Sequence, residues 1–347
     1  MSFFVRGIIL EQKKEPMLTR STLVMRHEYE YFDCDFPDIA LDELSREQII
    51  ELARLAEIVD ESDGKLLCEK LEKTDLGEGG TLIIDAVDDE PYISSQMSGC
   101  IHHPEKVALG IELCEKVLSP EKTYVAMYKH IFDTNFSIPK KIGNYKVEKI
   151  GGRYPAEGRV YRHIPKGKNA VVVGACAMLH LARAAEDSRK MTSCFITVAG
   201  DAILNPRNVE VPVGTSVERI IQLCGLNEKP EVIIMGGSMT GRSIFEPENE
   251  VVGPTTRGII ALSRGYHNPS PCIGCGRCDH ACPKALSVST MRKLAEFGDF
   301  EKLTRYDAAL CIGCGACSYV CPSRIDVAAT IIKAKKQMEL AKKEGTL

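Results

Sequence analysis

The stretch CIGCGRCDHACP at residues 272–283 recurs with the same cysteine spacing as CIGCGACSYVCP at residues 311–322. Each copy is the C-x2-C-x2-C-x3-C-P run of ferredoxins that carry two 4Fe-4S clusters. In such ferredoxins the fourth cysteine of each run ligates the other cluster. We therefore expect two clusters, the first held by Cys272, Cys275, Cys278 and Cys321 and the second by Cys311, Cys314, Cys317 and Cys282.

Both loops begin Cys-Ile-Gly-Cys-Gly, and their glycines let the backbone bend closely around a cluster. Ile273 and Ile312 are expected to shield the cluster from water, and the proline after each fourth cysteine ends the local turn. Zinc is the competing metal, because four thiolates also form a tetrahedral structural site. Zinc ribbons usually present two separated cysteine pairs, so the spacing favours iron-sulfur clusters.

The composition is that of a soluble globular protein. The chain has 347 residues, of which 44% are hydrophobic and 27% charged, so we expect two or three domains. The formal net charge of -4 is small for this length and favours neither nucleic acid nor an anionic membrane as a partner. No stretch approaches the roughly 18 apolar residues of a membrane span, and the N-terminus lacks a signal-peptide layout. A cytoplasmic location, free or peripheral to a membrane complex, is the resulting expectation.

Seven cysteines lie outside the two runs. Fifteen cysteines without an export signal indicate a reducing compartment, where thiols serve metals and cores. Cys114 and Cys194 sit in apolar segments and are expected to be buried, although a separate redox pair is the alternative. The seven are Cys34, Cys68, Cys100, Cys114, Cys176, Cys194 and Cys224.

The middle of the chain has the pattern of an α/β domain. Ser45 to Gln48 resembles a capping box at the start of a helix. Apolar strands near residues 81–87, 123–128 and 169–174 then alternate with helical segments near residues 104–118 and 177–186. Because strands alternating with helices favour a parallel or mixed sheet covered on both faces, we expect an α/β domain over residues 45–190. Residues 1–44 are expected to form a short N-terminal segment.

Three further units are predicted after residue 190. Short strands around one helix predict a small α+β domain over residues 191–250. The link between the cysteine runs contains a helix-forming stretch and is too long for the smallest ferredoxin turn, so we expect a helical two-cluster ferredoxin domain over residues 251–330. Residues 331–347 form a basic helical tail, either solvated or docked on an acidic redox partner.

From about Thr81 onward the chain resembles the C subunit of the Rnf electron-transport complex and its soluble relatives. The similar segments, in order, are Thr81–Asp85 with the loop Asp89–Ser94, the turn Arg153–Pro155, the pair Thr197–Gly200 and Val213–Thr215, and the turn Gly236–Gly241. The resemblance implies an RnfC-like α/β domain, a β-grasp domain of the SLBB type, and the clusters. It also implies a relationship to the flavin-bearing subunit of respiratory complex I.

In that family the α/β domain can hold FMN and receive hydride from NADH, and the clusters carry single electrons away. The family's glycine-rich flavin loop is replaced here by residues 57–65, which contain one glycine and four acids. Such a loop repels a phosphate dianion and blocks close backbone approach. A second family element, an Asn-Val-x-Thr turn, is replaced by Gly174–Ala177. FMN is therefore an implied cofactor that this sequence is poorly suited to hold, and the N-terminal region is short for the family.

Three functions are consistent with these features. The leading hypothesis is an electron-transfer subunit that passes single electrons through two 4Fe-4S clusters, in a hetero-oligomer with a flavoprotein or reductase. The second is an FMN-containing NAD(P)H-oxidising flavoprotein, with Asp88, Asp89 and Glu90 contacting ribose or nicotinamide. The third is a structural adaptor stabilised by its clusters. No catalytic residue is predicted, and Arg277 with His280 predicts a higher potential for the first cluster.

Overall fold

The computed structural model describes residues 7–14, 21–27, 40–129, 137–156, 158–160, 168–265 and 268–343. In these residues there are a two-stranded ribbon, two five-stranded sheets and a helical C-terminal region. The ribbon pairs β1 (Gly7–Lys14) with β2 (Ser21–His27) in antiparallel fashion, inside the predicted N-terminal segment. Cys34 lies outside the described residues.

The first sheet forms the predicted α/β domain. Its strand order is β5-β6-β4-β3-β7, in which β6, β4, β3 and β7 are parallel and β5 is antiparallel. All six residues of β3, an interior strand, are buried, because both faces of the sheet are covered. The strands are β3 (Thr81–Ala86), β4 (Lys122–Tyr128), β5 (Lys141–Ile142), β6 (Tyr145–Ile150) and β7 (Ala170–Gly174).

Helices cover one face of this sheet. The predicted capping box is present, since the Ser45 side chain accepts from the Gln48 amide and the Gln48 side chain accepts from the Ser45 amide. On the opposite face a smaller core surrounds Tyr124, whose hydroxyl donates to the Val160 carbonyl at 2.7 Å. The helices are α1 (Arg46–Leu55), α2 (Leu67–Lys73), α3 (Ser95–His102), α4 (Pro104–Leu118) and α5 (Ala175–Asp187).

The second sheet has the order β11-β10-β12-β8-β9 and packs against α6 (Val217–Cys224). Its strands are β8 (Ser193–Ala199), β9 (Arg207–Pro212), β10 (Val232–Met235), β11 (Arg242–Ile244) and β12 (Gly258–Leu262). Strand β12 lies beyond the domain end predicted at residue 250, and it pairs with both β10 and β8 in the middle of this sheet. The α+β unit therefore continues to Leu262.

The C-terminal region is helical, as predicted. It contains α7 (Arg277–Ala281), α8 (Val288–Phe297), α9 (Phe300–Arg305), a short 3-10 helix (Ala308–Leu310), α10 (Ala316–Tyr319) and α11 (Val327–Lys343). The boundary predicted at residue 331 falls inside α11, because Val327, Ile331, Ala334 and Met338 pack into the core of the ferredoxin region. None of the helices in the described ranges is long and apolar enough to cross a membrane.

Candidate iron-sulfur centre and adjoining cavity

The two cysteine loops share one backbone conformation. Gly274 and Gly276 have φ values of 68° and 67°, and Gly313 and Gly315 have values of 69° and 74°. Glycine adopts this left-handed conformation without the steric cost that a Cβ atom adds. Gly276 and Gly315 then begin α7 and α10, so both loops bend sharply and enter a helix at the same position. The two glycines of each loop thus make the tight bend that the motif predicts.

The residue after each third cysteine ties its loop to the following long helix. Asp279 accepts hydrogen bonds from the Ser289 amide and hydroxyl, both at 2.7 Å, at the start of α8. Ser318 accepts from the Ala328 amide at 2.8 Å and donates to Asp326 at 2.9 Å, at the start of α11. The repeat therefore extends beyond the cysteines to the way in which each loop is anchored.

Cysteines of both runs meet around one cavity. Its lining includes Cys282 of the first run and the three predicted partners Cys311, Cys314 and Cys317, with apolar walls from Met291 and Ile331. No three His, Cys, Asp or Glu side chains in the described part of the chain are grouped so as to hold a single metal ion; the four thiols instead surround a space. Four thiols around a common space form a donor set that suits a polynuclear cluster.

Burial affects the thiols of the second run. It raises the pKa of Cys317 to about 12, and it also raises the pKa of Cys314. Buried thiols of this kind become thiolates when a metal supplies compensating positive charge. The donor set therefore fits a bound iron-sulfur cluster.

The first run lies nearer the surface. Cys272 and Cys275 are exposed, and Cys278 and Cys321 are half-buried. The segment after Cys321 lies beside the start of the first run, because the Ser270 amide donates to the Ser323 carbonyl at 3.0 Å and the Ser323 hydroxyl donates to the Pro271 carbonyl at 3.0 Å. Ile273 is 70% exposed, so its predicted shielding role is not seen in this arrangement. The assignment of individual ligands stays a prediction.

A second cavity, of about 350 Å³, lies between the α/β domain, the second sheet and the second cysteine run. Asp88 lines it and is buried; its Oδ2 accepts from the Met97 amide at 2.9 Å, while its Oδ1 accepts no hydrogen bond from any residue that the structure describes. Burial raises the pKa of Asp88 to about 6. The cavity lining comprises Ser62, Asp88, Asp89, Glu90, Ile93, Tyr154, Pro155, Gly236, Gly237, Thr240, Thr255, Arg257, Ile312 and Cys314.

Of the other two acids in the predicted acidic turn, Glu90 connects the α/β domain to the second sheet, and Asp89 bonds within the α/β domain. Glu90 accepts from the Met239 and Thr240 amides at 2.6 and 3.2 Å, in the turn before β11. Asp89 accepts from the Ala156 amide. Close by, the Tyr154 hydroxyl donates to the Cys314 carbonyl at 2.7 Å and so joins the α/β domain to the second cysteine run. These acids are therefore structural links as well as cavity walls.

The acidic loop at residues 57–65 forms a short hairpin closed by a bridge between Val59 and Leu66. Glu61 points from this hairpin to the start of α5, where it accepts from the Cys176 and Ala177 amides at 2.7 and 3.0 Å. Burial, and then the neighbouring Asp60, raise the pKa of Glu61 to about 7. A Cβ atom on Gly174 would overlap the Glu61 carboxylate, so this corner is filled. The residues here do not fit a flavin phosphate.

The remaining described cysteines are buried free thiols, as predicted for Cys114 and Cys194. Burial raises the pKa of Cys100, Cys114 and Cys194 to about 12 in each case. Sequence reasoning missed Glu61 and Tyr154 as site residues, because their partners lie 115 and 160 residues away along the chain. Acidic residues in a loop that normally holds glycines were the available signal for Glu61.

Two known domain families match the helical C-terminal region and the second sheet. A model of the 4Fe-4S dicluster domain matches residues 271–325, and a model of the SLBB domain matches residues 195–243. A crystal structure of NAD+-reducing NiFe-hydrogenase in the H2-reduced state covers 86% of this chain and is itself covered to 65%, with a TM-score of 0.53. At 13% sequence identity this similarity shows the fold alone.

Curated relatives belong to oxidoreductase complexes. The C subunit of the Na+-translocating ferredoxin:NAD+ oxidoreductase complex of Acetobacterium woodii is 28% identical over 64% of this chain and 54% of that protein. The C subunit of the proton-translocating ferredoxin:NAD+ oxidoreductase complex of Clostridium ljungdahlii is 28% identical over 62% of this chain and 50% of that protein. The C subunit of the ion-translocating oxidoreductase complex of Vibrio cholerae is 27% identical over 80% of this chain and 38% of that protein.

The chain thus spans about half the length of the first two relatives. The similarity nevertheless covers most of the chain, and the SLBB and dicluster matches fall on the second sheet and on the helical C-terminal region. The chain is therefore similar to the C subunits of ion-translocating oxidoreductase complexes, and in it an α/β domain is followed by an SLBB domain and a 4Fe-4S dicluster ferredoxin domain.

Proposed function

We propose that this chain is an electron-transfer subunit that passes single electrons through two 4Fe-4S clusters, between redox partners in a multisubunit oxidoreductase complex. Its partners are other redox subunits, a flavoprotein or a reductase, in a hetero-oligomer. The names of its curated relatives support membership in such a complex. We place it in the cytoplasm, where it is either free or attached at the periphery of a membrane complex.

The observation that carries this proposal is the meeting of Cys282 with Cys311, Cys314 and Cys317 around one cavity. Cys282 lies 29 or more positions before the three cysteines of the second run. We expect it to join them as a ligand only if the two runs fold around shared centres. When each run supplies one ligand to the other run's cluster, the two clusters lie close together. This short distance suits transfer of electrons from one cluster to the other.

The protein's own residues supply the environment of both centres. When bound, the clusters accept and release one electron at a time. The two loops orient the thiolates, Met291 and Ile331 exclude water from the second site, and Tyr154 donates a hydrogen bond to the backbone of Cys314. These features adjust the redox potential through burial and hydrogen bonding.

The arrangement also gives the pathway two distinct ends. The second run faces the cavity at the α/β domain, whereas Cys272 and Cys275 of the first run are exposed. We propose that the first cluster exchanges electrons with a partner at the surface. The second cluster is then the more buried electron carrier, next to the cavity that Asp88 and Glu90 line.

Metal analysis of anaerobically purified protein tests the proposal. We expect about eight irons and eight acid-labile sulfides per chain, and a paramagnetic signal on reduction. A Cys194→Ser control should keep the same iron content, because Cys194 is buried in the SLBB domain core. Stoichiometric zinc without sulfide would reject the proposal.

The spectra of three cysteine variants test whether each run supplies a ligand to the other run's cluster. The spectrum of reduced Cys282→Ser protein should match that of Cys317→Ser, because both variants remove a ligand of the second cluster. It should differ from that of Cys278→Ser, which removes a ligand of the first. If Cys282→Ser instead matches Cys278→Ser, each run holds its own cluster and the crossed assignment is wrong.

The second candidate function is an FMN-containing NAD(P)H-oxidising flavoprotein. The observation in its favour is the cavity beside Cys314. Asp88 lines this cavity, and its Oδ1 accepts no hydrogen bond from the residues that the structure describes. Flavin extraction separates the two candidates, because tightly held FMN after gel filtration would reverse their order.

A further inference from the structure

We infer that the α/β domain does not hold a flavin phosphate, because the Glu61 carboxylate occupies from within the chain the anion position at the start of α5. This inference concerns the phosphate corner alone and does not depend on the clusters or on the proposed electron pathway.

The start of α5 has the geometry of an anion site. Strand β7 (Ala170–Gly174) runs parallel to β3 and leads directly into α5, so the first amides of the helix lie at the carboxyl edge of the sheet. Free amides and the positive end of the helix dipole attract anions at such a position. Gly174, the N-cap residue, has no side chain with which to satisfy them.

Glu61 supplies the missing acceptor. Its Oε1 accepts from the Cys176 amide at 2.7 Å, and its Oε2 accepts from the Ala177 amide at 3.0 Å. Both carboxylate oxygens are therefore used, as two oxygens of a phosphate would be. The residue is 9% exposed, and Gly174 allows the carboxylate to approach the backbone closely.

The loop that carries Glu61 is locked in place. Asp60 Oδ1 accepts from the Gly174 amide at 3.0 Å and from the Ser62 amide at 2.9 Å. The other oxygen of Asp60 pairs with Lys70, which also donates to the Val172 carbonyl at 2.9 Å. Because this buried pair anchors the hairpin to the end of β7, an incoming phosphate would have to displace a fixed carboxylate.

Electrostatic repulsion, like the space that Glu61 fills, opposes the binding of a phosphate at the start of α5. Asp60 adjoins Glu61, and Asp88 and Asp89 line the cavity at the same edge of the sheet. These three carboxyl groups outnumber Arg257, the cation that acts on Glu61 and lines the same cavity, so the net negative charge raises the cost of adding a phosphate dianion. The buried Lys70 is already paired with Asp60 and Asp63, so its charge is committed within the loop.

Removing the carboxylate should therefore open an anion site. The test compares purified holoprotein with Glu61→Gly and Glu61→Gln variants, using inorganic phosphate, FMN and riboflavin as probes. In Glu61→Gly, phosphate should raise Tm by a few degrees in a saturable manner, beyond the effect of potassium chloride at equal ionic strength. The wild type and Glu61→Gln, whose amide still fills the corner, should show no such rise.

Riboflavin distinguishes the phosphate corner from the rest of a flavin site. The wild type should bind FMN no better than riboflavin, because the phosphate gains no contact. The matched control is Glu69→Gln, which removes an exposed carboxylate that pairs with Lys73 on α2 and should leave the wild-type pattern unchanged.

Two results would overturn the inference. One is wild-type protein that retains FMN through gel filtration and prefers it to riboflavin. The other is a folded Glu61→Gly variant, judged by far-ultraviolet circular dichroism, whose Tm does not respond to phosphate. If Glu61→Gly fails to fold, the FMN and riboflavin comparison on the wild type still decides the matter.

Discussion

Arg277 is the residue at which the two cysteine runs differ most in charge. It follows Gly276 in the first run and is exposed, whereas Ala316 takes the same position in the second run. Positive charge beside a cluster favours its reduced, more negative state. An Arg277→Ala variant should therefore lower the potential of the first cluster, by an amount on the order of tens of millivolts because solvent screens the charge.

A redox titration followed by electron paramagnetic resonance measures this change. Arg219→Ala, which removes the same charge from an exposed position on α6, serves as the control and should shift neither cluster. An unchanged first potential in Arg277→Ala would show that Arg277 does not set the difference between the two sites.

At the scale of elements, α11 decides whether the ferredoxin domain holds together. Ile331 is 1% exposed and lies in the core and in the wall of the second cysteine cavity. Replacing it with alanine removes buried methyl groups and leaves a void, at a cost of about 2–5 kcal/mol. We expect Ile331→Ala to lower the unfolding temperature of this domain and to release iron faster.

Thermal denaturation with continuous detection of released iron checks this expectation. The control is Gln337→Ala, an exposed position on the same helix, which should behave like the wild type. Equal iron release from both variants would mean that α11 is an appendage, as the predicted tail at residues 331–347 implied.

At the scale of the whole molecule, Tyr154 couples the α/β domain to the second cysteine run. Its hydroxyl donates to the Cys314 carbonyl, so Tyr154→Phe removes a hydrogen bond worth about 0.5–1.5 kcal/mol. Because this hydrogen bond draws electron density from the backbone of a predicted ligand, we expect its loss to lower the second potential relative to the first. The same titration measures the difference between the two potentials.

Tyr128→Phe is the matched control, since the Tyr128 hydroxyl donates to the Gly152 carbonyl within the α/β domain. It should leave both potentials at their wild-type values. A second potential that is the same in Tyr154→Phe and in the wild type would show that the α/β domain holds the cysteine run without influencing it.

Local patterns in the sequence predicted most of the fold. The capping box at Ser45, the helix over residues 104–118 and the apolar run of β3 each lie where they were predicted, because hydrogen bonding within a few residues and burial of one strand fix them. Two elements extend past the predicted domain limits at residues 250 and 331. Strand β12 pairs with β10 of the second sheet, and α11 packs into the core of the ferredoxin region. The partners in both cases are distant in sequence, so no local pattern predicts the contacts.

The sequence by itself determined the chemistry at the C-terminus: two copies of one cysteine spacing, with glycines where a left-handed bend is needed, specify the kind of cofactor from neighbouring residues alone. It also determined that the flavin loop is altered. Only the tertiary structure decided that Glu61 reaches the start of α5 and that Glu90 and Tyr154 join three domains. Those contacts depend on folding residues more than a hundred positions apart against each other, and spacing along the chain carries no record of that.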